Sequence, residues 1–561
     1  MRAMSARGRR RARSAAAGAL ILIAVACTST DGVSTDSASA RTSTVPTTAA
    51  DAPSAQPSSP SSSAPAADTA PEPTDRAPEP TDRPPDSSTP ATAGDAAQPV
   101  AEPIPGPPGT SIDWQRVDDH YDEGTLLVPV DYRDPSLGNF RLYLVRRRAN
   151  DQDDRIGSLL VNPGGPGASG AGLARSADLA FGPELLDRFD IIGWDPRGTY
   201  GTQPAIDCID DYDKYFTGVD ITPDTPEARQ LNLDLAEQVE DLCVAKNGPI
   251  LQHVGTNDSA RDMDSIRRAL GEDKISYFGF SYGSELGATW ATLFPDTVRA
   301  AVLDGAKDPN AGALEWDRQQ RVGFEHTLDL YLDDCAKRSE CAFHNDGHTA
   351  EAFDALMADI DAHPLPTRAG RPDLTRGMAL QAVAMAMYED ALWEQLSDGL
   401  ADAQRGDGDG LLILYDTYFN RRANGTWPNF LEAFQVIVCM DSADRPTVEE
   451  YDANALEISR LAPRFSPNTV GSYDCAWFPP TEQPRIPITG RGAGPIVVVG
   501  TTGDPATPLV GTEAMAAALQ DGRLVVVDAD QHTGYGTNQC IVDIVHEYLI
   551  DLKVPPTKSE C

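Results

Sequence analysis

The sequence predicts an α/β fold, a mostly parallel, doubly wound sheet that carries a helical insertion. Three observations predict it. Short runs rich in Val, Ile and Leu each open into a turn of Gly, Pro or Asp, as parallel strands buried on both faces do. One of these runs delivers the pentapeptide Gly279-Phe280-Ser281-Tyr282-Gly283. Finally, residues 310–480 carry helical periodicity with few strand-like runs.

Taken in order, Leu159-Leu160-Val161 reads as a buried strand that opens into Asn162-Pro163-Gly164-Gly165-Pro166-Gly167. Lys274 to Phe278 is the next clear strand, followed by the Ser281 turn and a helix-forming stretch from Ser284 to Trp290. Ala300-Ala301-Val302-Leu303 is a third strand, ending near Asp304 and Asp308. The insertion then supplies helices over Phe324 to Lys337, Met378 to Gln404 and Phe430 to Cys439. Its tryptophans, Trp316, Trp393, Trp427 and Trp477, fit a packed core of its own. The sheet resumes with Gly494 to Gly500, a short helix from Gly511 to Leu519, the strand Arg523 to Val527, and a helix from Ile541 to Ile550. Asp504 follows Ser281 by 223 positions, far more than one or two strand-helix units require, so the excess is read as a cap over the site.

The chemistry follows from these placements. Gly-x-Ser-x-Gly between a strand and a helix is a nucleophile elbow: the glycines permit a sharp turn that projects the Ser281 hydroxyl into a cleft. In this arrangement an acid and then a histidine follow the serine along the chain. Asp504 lies at the carboxyl end of a strand, where open α/β sheets hold their ligands, and His532 lies in the loop after the next strand. Asp304 and Asp308 compete for the role of acid, because some hydrolases place it after the earlier strand. His546 falls within a helix, and His120, His253, His326 and His363 carry no motif. The glycine-rich turn after Val161 would offer the N–H of Gly165, or of Gly164, together with that of Tyr282 to a tetrahedral oxyanion. A phosphate cradle is the other use of such a turn, but no Gly-Lys-Ser/Thr or Gly-x-Gly-x-x-Gly pattern follows.

The Pro163 to Gly167 loop, Asp195-Pro196-Arg197-Gly198 and the Ser281 pentapeptide together resemble the prolyl aminopeptidase group of α/β-hydrolases. More closely, residues 112–561 are similar to the secreted tripeptidyl aminopeptidases of actinomycetes, with their TAP-like carboxyl-terminal segment. The opening Val128-Pro129-Val130-Asp131-Tyr132, the segments Val438-Cys439-Met440-Asp441 and Cys475-Ala476-Trp477, and Asp504 to Pro508 stand in family-like places. The resemblance implies Ser281 as nucleophile, Asp504 as acid and His532 as base, and it implies no cofactor. Pro163 stands where prolyl aminopeptidases have histidine, and Gln531 where many relatives have glycine.

The amino terminus implies export. Six arginines within residues 1–13, the apolar run Ala15 to Ala26 and then Cys27 match a signal peptide over 1–26. Ala24-Val25-Ala26-Cys27 resembles a lipobox, so Cys27 is expected to carry a lipid anchor on the outer face of the membrane; simple secretion is the alternative. Residues 27–110 form a Ser/Thr/Ala/Pro-rich linker with a tandem heptad over 70–83, a composition unable to build a core. Hydrolase residues then fall at 111–309 and 481–561, flanking the cap at 310–480.

The formal net charge of −39 argues against nucleic acid as a partner. Beyond Cys27 the chain has eight cysteines, an even number that fits four disulfides in an exported protein. Pairing neighbours, Cys208 with Cys243, Cys335 with Cys341, Cys439 with Cys475 and Cys540 with Cys561, keeps each bridge within one segment. No Cys-x-x-Cys pair occurs, and His344 and His348 are separated by a turn-forming Asp346-Gly347, so no metal site is expected.

The expectation is a cell-envelope serine exopeptidase that releases short peptides, tripeptides first among them, from free amino termini. An esterase or amidase using the same residues, and an inert wall-anchored binding protein, are the alternatives. Asp441, beside the expected Cys439–Cys475 bridge, is the sequence candidate for receiving the substrate ammonium.

Overall fold

The computed structural model describes residues 111–561 apart from Gly218. The expected signal peptide, Cys27 and the linker over 27–110 lie outside the described residues. Ten strands form one sheet: β1 (Asp113–Arg116), β2 (Tyr121–Pro129), β3 (Asn139–Arg147), β4 (Gly157–Asn162), β5 (Phe189–Asp195), β6 (Ile275–Phe280), β7 (Val298–Asp304), β8 (Ile496–Thr501), β9 (Gly522–Val527) and β10 (Lys558–Glu560). Their spatial order is β1-β2-β3-β5-β4-β6-β7-β8-β9-β10. The first three strands pair antiparallel, as does β3 with β5, and every later pairing is parallel.

Residue patterning explains this division. β2 alternates buried and more open residues, so one of its faces remains wet, whereas β4, β5, β6 and β8 are buried along their whole length. The alternating side chains of those central strands feed two different cores. Leu160, Tyr277, Leu303 and Val498 pack with Met263, Leu286 and Trp290 from the helices Thr256–Leu270 and Tyr282–Leu293. Val161, Phe278, Val302 and Val499 pack on the other face with Leu185, Val545 and Leu549 from Pro183–Arg188 and Gln539–Asp551. Strand order reverses at β4, since β5 lies on one side of it and β6 on the other. A crevice at the carboxyl ends of strands flanking such a reversal is where open α/β sheets bind ligands.

Between β7 and β8 the chain builds a third core from the helices Ala313–Lys337, Thr349–Ala362, Arg376–Met387, Trp393–Ala403 and Asp409–Tyr418. The helices Phe430–Asp441 and Val448–Leu461 complete this layer. The periodicity over Met378 to Gln404 is divided between two helices, with a tight turn at Asp390–Leu392 between them. A second excursion leaves the sheet between β5 and β6, with the helix Pro226–Asn247 as its main element. It joins the cap layer: Glu432 accepts N–H bonds from Cys208 and Ile209, and the Tyr212 hydroxyl donates to the Pro428 carbonyl at 2.8 Å.

Four disulfides link Cys208–Cys243, Cys335–Cys341, Cys439–Cys475 and Cys540–Cys561. The last ties the end of the chain, which adds β10 to the sheet, to the helix that follows the His532 loop. Among the described residues no helix is long and apolar enough to cross a membrane.

Candidate active site

Ser281 stands between β6 and the helix Tyr282–Leu293, with φ 55° and ψ −127°. A non-glycine residue keeps such a backbone only where its surroundings impose it. Here the Ser281 N–H donates to the Asp304 carbonyl at 2.8 Å. A Cβ on Gly279 would lie 2.3 Å from the Gly283 carbonyl oxygen, and one on Gly283 would lie 2.7 Å from that of Asn162. Both glycines are therefore demanded by the turn itself.

The loop after β4 lies directly against this elbow. A Cβ on Gly164, whose φ is +96°, would come within 2.6 Å of the Phe280 carbonyl and 2.8 Å of the Ser281 Cβ. The sequence left Gly164 and Gly165 as alternatives for an oxyanion donor. The Gly164 N–H is committed to Asn162 Oδ1 at 2.9 Å, which leaves Gly165. Tyr282 is the first residue of its helix, where an N–H has no intrahelical acceptor.

His532 lies in the loop after β9, and its Nδ1 is 2.9 and 3.0 Å from the two carboxylate oxygens of Asp504. The Asp504 carboxylate also accepts N–H bonds from Ala506 at 3.0 Å and Thr507 at 2.8 Å, and the Thr507 hydroxyl at 3.1 Å. That fixes the acid in one orientation. The His532 N–H donates to the Tyr388 carbonyl at 2.9 Å, and the Tyr388 ring meets the imidazole edge-on at 5.4 Å. The break after Met387 in the cap is thus the place where the backbone reaches down to the histidine. His532 Nε2 is buried and has no hydrogen-bond partner among the described residues.

The competing acid Asp304 does different work. Its carboxylate accepts the N–H groups of Gly534 and Tyr535, each at 2.8 Å, while its carbonyl holds Ser281. It braces the histidine loop and the elbow together, and burial pushes its carboxyl up to about 6. Arg197, from the Asp195-Pro196-Arg197-Gly198 motif, is fully buried and pairs with Asp262, while donating to the carbonyls of Val130 and His253. His546 bonds the Tyr535 hydroxyl at 2.8 Å.

A cavity of about 310 Å³ opens in front of Ser281, lined by Gly165, Tyr282 and cap residues that include Trp316 and Asp441. Three carboxylates, Glu285, Asp441 and Asp444, and two cations, Lys307 and Arg485, line it. Glu285 is buried and pairs with Arg485 and, at 3.4 Å, with Lys307. Burial pushes the Lys307 ammonium down to about 8, and Lys307 Nζ sits 4.5 Å from the Trp316 ring centre. Asp441 receives the Thr256 N–H at 2.6 Å and the Thr256 hydroxyl, which is also bonded to the Tyr282 hydroxyl. Burial raises the Asp441 carboxyl to about 6 despite the opposing pull of Lys307. Asp444 lines the exposed rim.

Residues 157–539 match the family model described as alpha/beta hydrolase fold. The chain belongs to the α/β-hydrolase family. Within it, the chain is 37% identical to a Mycobacterium tuberculosis protein named serine protease Hip1, over 78% of this chain and 86% of that one. A second M. tuberculosis relative, named carboxylesterase B, is 34% identical over 84% of this chain and 95% of its own. A Streptomyces coelicolor protein named tripeptidyl aminopeptidase is 30% identical over 76% of this chain and 80% of its own.

For this α/β-hydrolase, sequence reasoning placed Ser281, Asp504, His532, Gly165, Tyr282 and Asp441; Ser281, Gly165, Tyr282 and Asp441 line the cavity, and the Asp504–His532 pair adjoins it through Thr507 and Tyr388, which line it and contact His532. It missed Asn162, Tyr388, Thr256 and the Glu285–Lys307–Arg485 group. The only sequence signal for that group is isolated charge near strand ends. Among the described residues no set of three or more His, Cys, Asp or Glu side chains is placed to hold a metal ion, and His344 Nδ1 contacts the Cys335 carbonyl at 3.0 Å.

Proposed function

We propose that the chain is an exported serine exopeptidase that removes short peptides, tripeptides first among them, from free amino termini. One observation carries the catalytic part: a serine on a strained elbow faces a cavity whose wall residues Tyr388 and Thr507 contact a histidine, its Nδ1 held by a buried aspartate and its Nε2 without a partner among the described residues.

In this reading Ser281 Oγ attacks the scissile carbonyl carbon as His532 Nε2 takes its proton. The C=O electron pair moves to oxygen, and the N–H groups of Gly165 and Tyr282 receive the resulting oxyanion; one such donor is worth about 3 kcal/mol. On collapse the C–N bond breaks and His532 returns the proton to the leaving amine. Water, deprotonated by the same imidazole, then releases the peptide from the Ser281 ester. Asp504 keeps His532 in the required tautomer and steadies the imidazolium, without itself taking the proton.

Residues 310–480, with the excursion around Pro226–Asn247, form the cap that restricts entry to chain ends. The peptidase names of two relatives, at 37% and 30% identity, support a peptide substrate. The carboxylesterase name of the third supports a second reading, hydrolysis of a small ester. Four disulfides fit an oxidising compartment outside the cytoplasm and so agree with export and a lipid anchor at Cys27.

A panel of free and N-acetylated mono-, di- and tripeptide p-nitroanilides, beside p-nitrophenyl acetate, tests this. The expected result is a preference for free tripeptides over their acetylated forms of at least about a hundredfold in kcat/KM, since an acceptor site for ammonium would be left unmatched. Equal cleavage of both forms rejects the aminopeptidase. Turnover of the ester alone establishes the esterase.

A further inference from the structure

Beyond the Ser281 cavity lies a second, partly open chamber of about 320 Å³ between the cap helices and the Pro226–Asn247 helix. Trp316, Tyr418, Phe434 and Val438 line both spaces, so the two adjoin at a collar of apolar side chains. Leu235, Leu380 and Phe465 continue an apolar wall inside. Its charged groups are few and unbalanced. Arg321 lines the chamber but is paired with Asp317 at 3.1 Å. Asp474, also in the wall and with its side chain exposed, receives the Ser472 hydroxyl at 2.7 Å, and among the described residues no cation lies within ion-pair distance of its carboxylate. The chamber thus holds one carboxylate, Asp474, beside a guanidinium already committed to Asp317 outside its lining. Around Ser281, Glu285 pairs with Lys307 and Arg485, Asp441 is already bonded through Thr256, and Asp444 stands on the exposed rim.

Two further polar groups are held at the chamber wall. The Tyr415 hydroxyl and Gln435 Oε1 are both buried without a hydrogen-bond partner among the described residues, on side chains 1% and 8% exposed. Buried polar atoms without a protein partner take one from water or from a bound molecule. Gln435 Oε1 can accept from an N–H, and the Tyr415 hydroxyl can donate to a carbonyl.

We propose that this chamber is the subsite for the amino-terminal end of the substrate, with Asp474 receiving the ammonium. The apolar wall then takes the leading side chain, while Gln435 and Tyr415 bond the first peptide unit. The substrate class is peptides with a free amino terminus and a large apolar first residue. This inference rests on the exopeptidase reading.

The test measures kcat/KM for Phe-Ala-Ala and Glu-Ala-Ala p-nitroanilides, free and N-acetylated, with p-nitrophenyl acetate as the small substrate. Asp474→Asn should bring the free-over-acetylated preference from at least about a hundredfold to within about fivefold, because the ammonium loses its counter-charge while the ester reaction needs none. Asp441→Asn should retain that preference. Leu235→Trp, which fills the chamber from a half-buried position, should abolish cleavage of the Phe peptide and spare the ester. A preference that survives Asp474→Asn, or one lost in Asp441→Asn instead, overturns the assignment while leaving the exopeptidase intact. A wild-type enzyme without any preference for free peptides rejects the exopeptidase, and this subsite with it. Should Asp474→Asn lose its ester activity through misfolding, Leu235→Trp decides: undiminished cleavage of the Phe peptide overturns the proposal.

Discussion

The sheet and the cap hold their polar residues by opposite means. In the sheet, Ser281, Gly165, Asp504 and His532 stand on turns at strand ends, and backbone hydrogen bonds set their positions. In the cap and its borders, Glu285, Lys307, Asp441 and Asp474 sit on separate elements and are held largely by side-chain contacts, with Asp441 also receiving the Thr256 N–H. In the proposed reading, backbone-set geometry serves the reaction chemistry and side-chain-set geometry the choice of substrate. Changes in the first region should therefore damage all substrates equally, and changes in the second should damage them selectively.

The largest effect expected is that of Ser281→Ala, a loss on the order of a millionfold in kcat for peptide and ester alike. Labelling by a fluorophosphonate should vanish with it, and thermal melting should be unchanged. Persistent labelling at another serine would break the comparison at its root.

Next in size, Asp504→Asn should lower kcat about ten-thousandfold by spoiling the His532 tautomer. Asp304→Asn should act on stability instead. Its amide nitrogen would face one of the two N–H groups its carboxylate now accepts, at a cost of about 1–3 kcal/mol read as a lower melting temperature. If Asp304→Asn were the more damaging to kcat, the acid would belong after β7.

The disulfides sharpen the contrast further. Replacing Cys540 and Cys561 with serine should lower stability by about 2–4 kcal/mol without altering substrate ratios. The same change at Cys439 and Cys475, which flank the Asp441 and Asp474 segments, should shift the ratio of peptide to ester turnover as well as the melting temperature. Identical ratios in both double variants would mean that the cap is no more selective than the core.

The smallest effect concerns pH. Glu240 is buried against the cap, receives the Trp477 N–H at 2.7 Å, and burial pushes its carboxyl up to about 8. Its unfolded value is lower, so the folded state binds the extra proton between the two values. Its contribution to stability is thus full below the unfolded value and falls as pH rises toward about 8. Glu240→Gln should raise the melting temperature at pH 8 more than at pH 5. An equal change at both would exclude this titration.

How much of this was legible in the sequence follows the same division. Turn chemistry is local, so the elbow, the glycine loop and the Asp504 and His532 loops could be read from neighbouring residues. The choice between Gly164 and Gly165 was not readable, because it depends on where the Asn162 side chain points. The helix break at Tyr388 arises from a tertiary contact, its carbonyl meeting the His532 N–H, which no local propensity records. The Pro226–Asn247 helix buries only Asn232, Val239, Glu240 and Cys243, too narrow and polar a stripe to announce a cap element. Partners such as Glu285, Lys307 and Arg485 are brought together only by the completed fold.

Because β7 leaves the sheet at Asp304 and its neighbour β8 begins only at Ile496, the larger part of the cap is threaded between two strands that lie side by side. A growing chain therefore carries Ser281 long before it possesses Asp504 and His532. The site cannot be assembled until almost the last segment has been synthesised and has docked beside β7. Connectivity alone thus delays the appearance of a competent hydrolase to the end of its own production, and a truncated chain carries the nucleophile without the groups that would activate it.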